Sequence, residues 1–137
     1  MAGFVARSLL SSIFISGGLG AVQAPGPRSA TVINAAKKLN VNLAEAEADT
    51  VVKLNGATMV GAGATVALGI FPRLSAATLI ASLVPTTLAG HPFWEMEAGQ
   101  ARSMNKIQFF KNLSIIGGLV SVLLSPGKAK KVTARRR

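Results

Sequence analysis

The sequence predicts an all-α fold, a bundle of four membrane-spanning helices with a short amphipathic segment in the first outer loop. Three observations predict it. Half of the 137 residues are hydrophobic and only 15% are charged, against roughly 25% in typical soluble domains. Four apolar stretches of about 17–21 residues occur, close to the ~20 that a helix needs to cross ~30 Å of hydrocarbon. Nowhere does polarity alternate residue by residue, as the strands of a membrane barrel require.

The first span is expected over 4–22, interrupted by Arg7. Its alternative is a secretory signal peptide ending at Val22-Gln23-Ala24. Pro25 would then follow the cut directly, where its fixed φ and missing N–H suit a protease poorly. Pro25-Gly26-Pro27 reads as a turn. Beyond it Val32, Ile33, Ala36 and Leu39, beside Lys37 and Lys38, form the amphipathic segment, with a plain polar loop as the alternative. Glu45, Glu47 and Asp49 lead into a second span over 51–71, at an N-terminus where the helix dipole favours negative charge. Phe71-Pro72-Arg73-Leu74 is a tight turn that makes the second and third spans antiparallel neighbours. The third span, 74–90, contains Pro85, so a kink is expected. The fourth covers 107–124, with Lys111 and Asn112 one turn in. The domain is therefore 1–127, followed by a basic tail, 128–137, expected to be disordered and cytoplasmic.

Composition excludes several kinds of chemistry. There is no cysteine, hence no disulfide, thiolate metal site or thiol nucleophile. His91 is the only histidine, so no metal site of several imidazoles forms within one chain. The net charge of +10 suggests nucleic acid, but six of the fifteen basic residues lie in the last ten positions. That tail lacks aromatics and the remainder faces lipid, so no nucleic-acid partner is expected.

Lysine and arginine give the orientation. Arg7, Arg73 and the tail share one side; Arg28, Lys37, Lys38, Arg102 and Lys106 share the other. The positive-inside rule puts both termini in the cytoplasm. Small residues spaced four apart, Ala57/Gly61 and Gly63/Ala67, are expected to bring backbones together, as are Gly17, Gly18 and Gly20 and the pair Gly117-Gly118.

Polar residues converge at the outer end. Lys53 and Asn55 open the second span; His91, Phe93, Trp94 and Glu95 close the third; Gln108, Lys111 and Asn112 open the fourth. Ionisable groups inside a span are costly and face partners or the interior. Glu95 and Glu97 are candidate partners for Lys111, and Glu45, Glu47 and Asp49 for Lys53. His91, Trp94, Gln108, Lys111, Asn112 and Lys53 thus form a candidate ligand site for a carbonyl-bearing ring such as a quinone head group. The competing reading is a polar plug, with the lysines snorkelling to headgroups and Trp94 an interfacial anchor. No catalytic residue and no metal ligand is assigned.

His91-Pro92-Phe93-Trp94 resembles the histidine-x-phenylalanine-tryptophan signature of the DoxX family. Gln108-Phe109-Phe110-Lys111-Asn112-Leu113 with Ile116-Gly117-Gly118-Leu119 resembles that family's fourth helix, and Arg7, Phe14 and Gly17 its first. The resemblance implies a four-helix inner-membrane protein of prokaryotes, of the kind that serves sulfur-redox, quinone-linked or oxidative-stress complexes. A soluble oxidoreductase subunit is then an expected partner, and a homo-oligomer a further possibility. Without cysteine, a partner or a quinone must carry any redox chemistry. The competing function is a non-catalytic scaffold whose polar cluster only ties loops together. A transporter fits least, because the first and third spans lack charge in their middles and no inverted repeat occurs.

Overall fold

The computed structural model describes residues 2–125; the basic tail lies outside them. The described chain is helical, with no strand. Its order is α1 (Ala2–Gln23), α2 (Gly26–Lys38), α3 (Glu45–Leu68), α4 (Pro72–Gly90), a 3-10 turn at Phe93–Glu95, and α5 (Gln100–Leu124). α1, α3, α4 together with the 3-10 turn, and α5 are long and apolar enough to cross a membrane.

Two spans start earlier than hydropathy suggests. α3 begins at Glu45 and α5 at Gln100, because polar residues continue the helical hydrogen bonds beyond the apolar part. At α3 the Glu47 carboxylate accepts from the Ala44 N–H at 2.8 Å, which satisfies a donor the helix leaves open. The stretch after Pro25 is also more than a turn. Pro27 sits in the first turn of α2, where its missing N–H costs nothing, and the helix runs for 13 residues. α3 ends earlier than expected, at Leu68. Gly69 takes φ +72°, and Ile70 N–H returns to Thr65 O at 2.9 Å. Phe71 is left-handed as well, and Pro72 restarts the chain as α4. α4 runs on through Pro85.

α1 packs chiefly on α3, across the intervening α2, while α4 lies between α3 and α5. Ser11, Phe14, Gly18 and Ala21 make the buried seam of α1, at alternating spacings of three and four. Opposite lie Val52, Gly56, Gly63 and Val66. The close approach is at Gly18 and Gly56, not at Ala57/Gly61. Ala57 and Gly61 are exposed, and a Cβ on Gly61 would meet nothing. Gly118 touches Leu10 of α1, whereas Gly117 faces open space. Phe14, Val66, Leu79, Leu83 and Leu119 bring all four long helices into one core. In lipid such a core gains from dispersion and hydrogen bonds more than from the hydrophobic effect.

Candidate functional site

α4 carries small hydroxyl residues in an otherwise apolar helix, and these form a polar ladder to both neighbours. Towards α3, Ser75 and Thr65 share a hydrogen bond of 2.8 Å at the end where the chain begins. Towards the other end, Ser82 donates to Asn55 Oδ1 at 2.7 Å. Towards α5, Asn112 Nδ2 donates to Thr87 Oγ1 at 3.0 Å, and Thr87 donates on to Leu83 O at 2.6 Å. A further rung is His91 Nδ1, 3.2 Å from Asn105 Oδ1. The Asn105 amide donates to Ala101 O, which leaves its oxygen to accept from the ring when His91 is protonated on Nδ1. Asn105 and Asn112 are seven residues apart, about two helical turns, so both face α4. The backbone N–H of His91 caps α4 on Thr87 O at 3.0 Å.

The two lysines stand off this ladder. Lys111 is exposed and donates to Gln108, one turn back on its own helix. It lies six positions beyond Asn105, about 9 Å further along the axis and roughly a third of a turn around it. No hydrogen bond joins it to His91 among the described residues. Lys53 is exposed too, and Asp49, one turn before it, accepts instead from Ser29 of α2. Glu95 pairs with Lys38 at the end of α2 rather than with Lys111.

Trp94 joins an aromatic cluster. Phe93 packs edge-on against Trp94 and Phe109, with centroids 5.3 and 5.4 Å apart, and Trp94 meets Phe109 at 5.7 Å. Phe110 closes the group at 5.6 Å from Phe109. This cluster fastens the 3-10 turn to α5. A shallow apolar hollow of about 140 Å³, lined by Thr87, Leu88, Phe109 and Leu113, lies beside it. No three His, Asp or Glu side chains converge on a metal position among the described residues.

The structure therefore brings His91 together with Asn105, Asn112 with Thr87, and Trp94 with the phenylalanines. It does not bring Lys53 or Lys111 to them. Sequence reasoning missed the hydroxyl partners Ser82 and Thr87 and the amide of Asn105. The readable signals were the seven-residue spacings Ser75/Ser82 and Asn105/Asn112.

Comparison with known proteins corrects the family. Residues 42–132 match the SURF4 family, and that match contains α3, α4, the aromatic turn and α5. The resemblance to DoxX is overturned by it. Its short motifs combine a histidine, aromatics, amides and a lysine at the end of α4 and within α5, too few residues to distinguish one family of membrane helices from another. The redox complex, oxidoreductase partner and quinone lose the support they drew from it. The inner membrane protein YphA of Escherichia coli (strain K12) is 38% identical over 69 residues, 50% of this chain and 49% of that protein. The chain thus spans about half the length of the curated relative it matches. No solved structure matches. With four long apolar helices and most of its length inside the match, the chain is a multi-pass membrane protein that belongs to the SURF4 family.

Proposed function

We propose that the chain is a non-enzymatic scaffold of the cytoplasmic membrane, with both termini in the cytoplasm. The observation that carries this reading is the Asn112–Thr87 bond at 3.0 Å. A polar group that would have to turn towards a ligand is instead spent on holding two helices together. His91, Asn55 and Ser82 are engaged in the same way. The cluster then works as a lock that fixes the aromatic turn on α5. The membrane assignment follows the relative from Escherichia coli, and the orientation rests on the positive-inside rule, with Arg7, Arg73 and the six basic residues of 128–137 set against Arg28, Lys37, Lys38, Arg102 and Lys106.

The test is purification of the full chain in mild detergent, with extraction of bound quinone and a melting curve for each variant. The scaffold reading expects no stoichiometric quinone or oxidoreductase, a lowered Tm for Asn112→Leu, and an unchanged Tm for Lys111→Met. A stoichiometric quinone that is lost in Lys111→Met would overturn it.

A further inference from the structure

At the end of the bundle where the chain begins, opposite to His91 and Asn105, α1 and α5 diverge into a cleft of about 410 Å³. α1 lines it with Ala6, Arg7 and Leu10, and α5 with Gly118, Ser121 and Ser125. Leu10 against Gly118 closes its deep end; a Cβ on Gly118 would lie 3.2 Å from Leu10 Cδ1. The space is within the range of ligand pockets.

Arg7 is the unusual member. Its Nε is buried and has no hydrogen-bond partner among the described residues. Its guanidinium reaches the C-terminal end of α3, where a Cβ on Gly69 would come within 3.0 Å of Nη2. A buried guanidinium nitrogen without an acceptor is costly, so an acceptor beyond the described residues is called for. The chain has no carboxylate side chain to offer there. All five, Glu45, Glu47, Asp49, Glu95 and Glu97, belong to the other end. A second cation stands on the rim instead. Arg73 Nε donates to the carbonyl of Ser125 at 3.0 Å.

We propose that this cleft binds an anionic phospholipid, with the headgroup phosphodiester on Arg7 and an acyl chain leaving over Leu10. Guanidinium and phosphate match in shape and charge, each offering two parallel hydrogen-bonding positions. Ser121 and Ser125 border that position, with their hydroxyls donating to Gly117 O at 3.2 Å and Ser121 O at 2.7 Å on their own helix, so the guanidinium is the donor that a headgroup meets. The flanks are the lipid-facing sides of the spans, with Phe4, Val5, Leu9 and Leu124 all exposed. This environment selects a lipid over a soluble phosphate. The site does not depend on the scaffold reading, because none of its residues belongs to the ladder.

The experiment is native mass spectrometry of the full chain in mild detergent, titrated with phosphatidylglycerol, with phosphatidylcholine, or with inorganic phosphate. The expected result is retention of phosphatidylglycerol over both alternatives. Arg7→Gln should weaken it about tenfold, as loss of a charge-assisted contact implies. Ser121→Leu keeps every charge and fills the cleft; it should weaken binding similarly and serves if Arg7→Gln does not fold. A chain with its six tail basic residues changed to glutamine should still bind. Binding that survives both Arg7→Gln and Ser121→Leu, that vanishes only with the tail charges, or that inorganic phosphate matches, would overturn the proposal.

Discussion

Gly18 and Gly56 meet backbone to backbone: a Cβ on Gly18 would lie 2.5 Å from the Gly56 carbonyl oxygen, and one on Gly56 would lie 2.7 Å from that of Gly18. Nothing flexible stands between the two helices there, so an added methyl must push α1 and α3 apart. Gly18→Ala and Gly56→Ala should each cost about 1–3 kcal/mol, as overpacking does. Gly61→Ala and Gly117→Ala meet open space and should be neutral or gain up to ~1 kcal/mol of helix propensity. Melting curves of the four variants in one detergent check this. Equal effects in all four would remove the crossing point from the fold.

The rungs Asn55–Ser82 and Asn112–Thr87 should behave as real but modest interhelical bonds. In a membrane bundle such pairs contribute about 0.6 kcal/mol and up to about 1.7. A double-mutant cycle of Asn55→Ala and Ser82→Ala should therefore return a coupling within that range. The pair Asn55→Ala and Thr87→Ala, which share no hydrogen bond, should be additive.

The Lys38–Glu95 ion pair joins the end of α2 to the aromatic turn. Its side chains are 58% and 46% exposed, so water screens it strongly. Lys38→Met should change stability by about 0–1 kcal/mol, and the difference should fade at about 1 M salt. A salt-independent loss would mean that the lysine stem, not its charge, holds α2 in place.

The absence of cysteine makes orientation directly measurable. Single cysteines at positions 30 and 100 should react with an impermeant thiol reagent on intact cells, and one at position 130 should react only after lysis. The reverse pattern would invert the chain in the membrane.

The number of spans and the antiparallel pair around Pro72 were legible, because lipid demands long uninterrupted apolar helices and hydropathy measures that demand. The starts of α3 and α5 were not. Glu45 and Gln100 lie in turns that satisfy their backbone like any helix but stand beyond the apolar zone, so composition reads them as loop. Neighbours in space were only partly readable. Small residues abound in α3, and which of them touch depends on α1's register: Gly56 and Gly63 face it and Gly61 does not. At the candidate site, depth placed His91, Asn112 and Lys111 near one another, but angle decided their partners. Asn112 points to α4 while Lys111, one residue earlier, turns back to Gln108. The DoxX motifs misled because they rest on a few polar and aromatic residues of two helices, whereas the SURF4 match extends over 42–132.

The pairing of α1 with α3, rather than with the helix that follows it, has a consequence for biogenesis. At ~5–20 residues per second, α3 leaves the ribosome some seconds after α1. During that interval α1 sits in the bilayer with its Gly18 seam and Ser11 hydroxyl facing lipid or the insertion machinery. α2 and the loop behind it set the length of that wait. Shortening this connection should hasten the closing of the pair, and lengthening it should leave more nascent chains open to the proteases that clear unpaired membrane segments.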